Sequence, residues 1–253
     1  MPVIFAAQTD LTIYVVCVIF IATLIRSAFG FGEALISVPL LAMRMPLKTA
    51  APLAVMLSIT VAAVIVVQDW KQVHARSAAW LLLATLFGIP PGLMLLCCPQ
   101  QQMVRLILAL VIVLFALYSL ARPPLRLRTD HKTWLAICGF FAGILGGAYG
   151  MNGPPLAIYG TMRGWSPQQF RATLQGYFLP ASLLGMAGYL VKGLWSHDCA
   201  RYYLVALPAA IPAIWLGRLA NRRLPTGQFR KYVYAGLIII GVVLAIQAFG
   251  AAR

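Results

Sequence analysis

Long apolar runs, rather than alternation, organise this chain. Residues 49–68 and 172–191 each hold 20 positions without a charge, 232–252 hold 21, 77–104 hold 28 and 133–162 hold 30. Residues 106–121 and 202–217 hold 16 each and extend to flanking arginines, and residues 11–25 open the series. A helix that crosses a bilayer needs about 20 apolar residues at 1.5 Å rise each. No stretch shows the ~10-residue alternation of a transmembrane β-barrel strand. The pattern predicts an all-α polytopic membrane protein of 8–10 membrane segments, a single membrane domain over 1–253 with no soluble domain. The first run lacks a basic leader and follows Asp10, so it is expected to be a retained helix.

Two halves of the chain resemble each other. Gly30 lies nine residues before Pro39-Leu40, and Gly146 nine before Pro155-Leu156. Trp70, Ala75-Arg76 and Gly92 recur 125 residues later as Trp195, Ala200-Arg201 and Gly217. Repeat one covers about 8–121 and repeat two about 133–251, with a basic linker at 122–132. Each repeat opens on an interrupted segment, at Ser27 to Glu33 and again at Gly146 to Pro155. Glycine lets the backbone leave helical angles and proline blocks helix continuation. Irregular backbone at membrane depth survives only inside protein or along a wet cavity. Paired breaks in two repeats therefore point to a transporter binding site.

Composition sharpens the picture. The chain is 62% apolar and 10% charged, which excludes an ordinary soluble enzyme. Twenty Lys+Arg stand against five Asp+Glu, a net charge of +15. If each broken segment crosses the membrane once, the basic residues divide ten to nine between the two sides. If each is a hairpin that returns to its starting side, they divide thirteen to six. The positive-inside rule favours hairpins. That choice predicts six full spans plus two broken or re-entrant hairpins, inverted repeats, and both termini outside the cytoplasm. It also reads the basic loops as orientation signals facing the lipid bilayer, with no role for nucleic acid. Trp70, Trp134, Trp165 and Trp195 fall near segment ends, as interfacial anchors do.

Glu33 is the only acidic residue expected at membrane depth, and an intramembrane ionisable group is a functional hypothesis by default. Burial disfavours the charged form of a carboxyl, so proton carriage is one reading of Glu33. An ion pair with Arg26, seven residues earlier, is the other. Arg26 could equally hold an anionic substrate through its planar donor fork. Helix N-termini at the breaks would offer backbone donors and a positive dipole end to an oxyanion. Asn152 would contact substrate or cap the second of those helices. Tyr149 and Tyr159 could donate hydroxyls or simply pack, and Gln175 needs a partner inside its apolar run. Together with Gly30, Phe31, Gly32, Gly153 and Pro155 at the breaks, these residues form the expected substrate site. Gly139, Gly143 and Gly147 recur every four residues and are expected to serve close helix packing. No cofactor or metal is expected, and no Walker-type loop is present.

The run Gly30-Phe31-Gly32-Glu33-Ala34-Leu35-Ile36-Ser37-Val38-Pro39-Leu40-Leu41 resembles the signature of the sulfite exporter TauE/SafE family. The second-half run from Gly146 through Asn152-Gly153-Pro154-Pro155-Leu156 to Tyr159 resembles that family's second motif. The resemblance implies an inner-membrane secondary transporter for a small anion such as sulfite or an organosulfonate. It further implies export, alternating access and no enzymatic activity. Oligomer formation is compatible with it. Glu33 stands where the family usually carries a small residue, a departure that points to proton coupling. A helper subunit without transport, or an integral-membrane enzyme, are the alternative classes.

Overall fold

The computed structural model describes residues 2–69, 75–121, 132–163, 167–223 and 226–250. Among these residues every regular element is α-helical. The ten helices are α1 (Pro2–Phe29), α2 (Glu33–Ala42), α3 (Leu47–Asp69), α4 (Ala75–Cys97), α5 (Gln101–Ala121), α6 (Lys132–Tyr149), α7 (Gly153–Met162), α8 (Pro167–Val191), α9 (His197–Arg223) and α10 (Thr226–Gly250). Residues 122–131 of the basic linker, Trp70 and Trp165 lie outside the described residues.

Apolar length explains most of these elements. Six helices, α1, α3, α4, α5, α8 and α9, are long and apolar enough to cross a membrane. The sequence pattern assigned α10 to that set and made α1 one arm of a hairpin. Helix α1 is that arm, and its 28 residues make about 42 Å of helix, enough to cross on its own. Helix α10 runs for 25 residues. Helix α1 runs past Arg26 and Ser27 because both find partners inside the bundle: Ser27 Oγ donates to the Ile214 carbonyl at 2.6 Å, and Arg26 is held as described below. Outward faces carry exposed Val67, Phe87, Ile211 and Ile239, the inside-out surface expected where lipid is the solvent.

Both breaks are hairpin turns. The Tyr14 hydroxyl of α1 donates to the Leu40 carbonyl of α2 at 2.7 Å, and Arg44 stacks over the Tyr14 ring at 4.8 Å. Residues 26 and 33 meet at the other end of the pair, so α2 folds back along α1. Helix α7 does the same along α6: Leu156 and Tyr159 share a buried cluster with Leu135 and Cys138 from the start of α6. That cluster includes Ala78 and Leu81 near the start of α4, whereas α2 ends where α3 begins. The two hairpins thus enter from opposite ends of α3.

Helix boundaries repeat at a fixed spacing. Helix α1 ends at Phe29 and α6 at Tyr149, α2 begins at Glu33 and α7 at Gly153, and α3 begins at Leu47 and α8 at Pro167, each 120 residues apart. Gly30 therefore matches Gly150, and both have left-handed φ (84° and 66°). The Gly-to-Pro pairing in the sequence matched Gly30 with Gly146 instead. It misled because Pro39 sits inside α2, while Pro155 stands in the first turn of α7, where a missing N–H costs no hydrogen bond. The second break accordingly closes earlier than the sequence indicated, at residues 150–152.

Packing follows the same twofold plan. The most extensive pairings are α4 with α6, α1 with α9, α5 with α10 and α3 with α8. Exchanging the halves turns the first pairing into the second and returns the other two to themselves. The α4–α6 contact is made through backbone. A side chain at Gly88, Gly92, Gly139, Gly143 or Gly147 would run into main-chain atoms of the facing helix.

Candidate functional site

Arg26 lies near the end of α1, only 2% exposed, and anchors a polar cluster where the breaks meet. Its Nη1 donates to the Glu33 carboxylate and, at 2.8 Å, to Ser58 Oγ in the middle of α3. Its Nη2 donates to Gln175 Oε1 on α8 at 2.9 Å. The guanidinium lies over the Phe178 ring, 5.2 Å from its centroid. Arg26 Nε has no hydrogen-bond partner among the described residues.

Glu33 opens α2, where a carboxylate meets the positive end of the helix dipole. One of its oxygens receives Arg26, and the other receives Thr23 Oγ1 at 3.2 Å. Gly32 precedes it with φ +103°, a left-handed conformation natural to glycine. Gln175 Nε2 donates to the Gly30 carbonyl at 2.6 Å, so both ends of that amide are engaged. Ser182 Oγ donates to Ser58 Oγ at 3.1 Å. Repeat one therefore supplies both charges, and repeat two supplies the amide that holds Arg26 and the broken end of α1 together.

A cavity opens beside this cluster. Its walls include Arg26, Phe31, Gly32, Glu33, Ser58 and Phe178, and it is closed by residues 150–154 of the second break. Its volume is about 20 Å³, room for about one water molecule and too little for an oxyanion of sulfur. Phe31 stacks edge-on against Phe115 and Phe170, at 6.3 and 5.8 Å between ring centroids, so the first break is aromatic on its outer side.

The expected site residues divide into two groups. Arg26, Phe31, Gly32, Glu33, Asn152 and Gly153 line the cavity. Gly30 and Gln175 stand behind it, bonded to each other. Tyr149 is turned away, its hydroxyl given to the Val104 carbonyl at 2.7 Å. Tyr159 belongs to the buried cluster between α4, α6, α7 and α8. Pro155 does not line the cavity; Pro154 does. Asn152 does not cap α7 through its side-chain oxygen, because Oδ1 has no hydrogen-bond partner and packs on the bare Cα of Gly146. The two helix N-termini are also unequal. Glu33, Ala34 and Leu35 in the first turn of α2 line the cavity and each carries a backbone N–H, whereas of residues 153–155 at the start of α7 only Gly153 has one.

Sequence reasoning missed Thr23, Ser58, Phe178 and Ser182. Thr23 and Phe178 sit three residues from Arg26 and Gln175 on their own helices, a spacing that places them on the same faces. Ser58 and Ser182 carried no such signal, since hydroxyls are common in apolar helices.

Fold and site together define a multi-pass membrane protein with two helical hairpins converging on a buried arginine. The chain belongs to the sulfite exporter TauE/SafE family, whose sequence profile matches residues 15–244. A similar protein is a probable sulfite/organosulfonate exporter TauE of Cupriavidus necator, 27% identical over 188 residues, which cover 72% of this chain and 71% of that one. No solved structure matches the chain.

Proposed function

We propose that this protein is a secondary transporter that exports a small sulfur-containing or organic anion, sulfite or an organosulfonate, across a bacterial-type inner membrane. The observation that carries this reading is Arg26, a buried guanidinium at the junction of two helix breaks. A buried cation with a planar donor fork suits an oxyanion, and the first turn of α2 adds backbone donors. The name of the Cupriavidus relative points to the same substrate class.

Two features support alternating access. The cavity is too small for the proposed substrate, so binding requires the hairpins to separate. Hairpins entering from opposite ends of α3 support inverted repeats, the usual architecture for rocking around a fixed site. The thirteen-to-six division of basic residues supports termini outside the cytoplasm. Glu33 is the proton site that couples transport to the membrane gradient. Reconstitution in liposomes tests the reading with a panel of sulfite, sulfonates and carboxylates, each with and without a proton gradient. Saturable flux of a sulfur oxyanion, with a rate set by the size and direction of the proton gradient, is expected. Absence of flux for every anion would overturn it.

A further inference from the structure

Arg26 is held in a way that leaves it open to exchange. Its bond to Glu33 runs through one nitrogen only, while the second carboxylate oxygen is turned to Thr23. The bidentate fork, the strongest arrangement for this pair, is not made, and Nε donates to nothing among the described residues. Ser58 accepts from both Arg26 and Ser182, leaving its own hydroxyl proton for the cavity. With Glu33 ionised, the two charges lining the cavity cancel. An anion added to that state would leave a net negative charge buried, at a cost of several kcal/mol.

We propose that the transported anion binds by taking the place of Glu33 on Arg26, and that the displaced carboxylate takes up one proton for each anion bound. The proposal rests on the anion-transport reading above and gives its coupling rule. Charge balances at every stage. The resting site holds guanidinium and carboxylate; the loaded site holds guanidinium, the anion and a neutral carboxylic acid, the proton arriving from solvent. Binding is then electrically neutral, and proton and anion travel together, so export runs on the anion's own outward gradient and is slowed by an inward proton gradient. By reciprocity, protons tighten anion binding as much as the anion tightens proton binding. Among the described residues, Thr23 and Arg26 from α1 bond Glu33, Ser58 from α3 and Gln175 from α8 bond Arg26, and Phe178 from α8 and Asn152 from the second break line the same cavity as Glu33. None but Arg26 is charged, and none offers a second acid or base near neutral pH.

Calorimetric titration of the purified full chain with methanesulfonate tests this. That anion stays ionised across the working pH range, so any proton taken up belongs to the protein. Binding heats in buffers of different ionisation enthalpy give the proton count. The expected count is one per anion for the native chain, with affinity weakening about tenfold per pH unit wherever the count is one. Glu33→Gln is expected to bind with no proton uptake and no pH dependence, while Glu33→Asp keeps the uptake. If Glu33→Gln fails to fold, the native chain and Glu33→Asp still decide the question. Binding by the native chain without proton uptake would overturn the exchange and leave the anion site standing. No binding at any pH would overturn both.

Discussion

Arg26 and Glu33 together determine how the site can be dissected. Removing Arg26 strands a carboxylate that is only 2% exposed, and breaking a buried pair from one side costs about 3–5 kcal/mol. Arg26→Ala is therefore expected to lower the unfolding temperature in detergent sharply, and Arg26→Ala/Glu33→Ala much less. Gln175→Ala leaves the Gly30 carbonyl and an Arg26 N–H without their partner. Each such group costs about 1–3 kcal/mol, readable in the same melting assay. Gly146→Ala would drive its new methyl into Asn152 Oδ1. Asn152 must then shift into the cavity, and anion affinity is expected to fall in titration while the helices stay intact by circular dichroism. The sequence placed Arg26 and Glu33 at one break, seven residues apart, but left ion pairing and proton carriage as open readings of Glu33; the pair itself is seen only in the fold. Gln175 and Ser58 were not assigned to that pair, because they lie 149 and 32 residues from Arg26 and only the fold brings them to it.

At the scale of elements, glycine does two different jobs. Gly32 holds φ +103° and lets α2 start directly after the break. A side chain in the left-handed region costs about 1–2 kcal/mol, so Gly32→Ala is expected to slow transport by weakening the hairpin turn while leaving assembly intact. Gly88 and Gly143 instead allow main chain to meet main chain between α4 and α6. Gly143→Leu is expected to abolish folding, assayed by monodisperse elution in detergent. Gly185→Ala, which meets nothing within 4 Å, should be silent. The four-residue glycine spacing made the packing face of α6 readable in advance, although its partner α4 was not named by it. The boundaries of α7 were misread because proline stops a helix from inside but fits its first turn.

At the scale of the molecule, helix count and apolar length were visible in the composition, since a bilayer leaves the backbone few other choices. The length of α1 was less visible: it continued through a charged residue because the bundle supplied its partners. The twofold pairing of helices could not be read from spacing alone, because it depends on contacts between halves. The inverted arrangement proposed above would place both termini on one side, and the basic residues put that side outside the cytoplasm. Reporters fused at residue 1 and at residue 253 are therefore expected to be active only outside the cytoplasm; a cytoplasmic signal from either would break the inverted arrangement. The most direct test of transport at the junction of the breaks compares sulfite flux in proteoliposomes of the native chain and of Arg26→Lys. The lysine keeps the charge but cannot reach Glu33, Ser58 and Gln175 together or present a planar fork. A loss of at least about tenfold in flux, equivalent to about 1.4 kcal/mol, is expected for protein that still elutes as a folded species. Flux equal to that of the native chain would contradict a substrate site at Arg26.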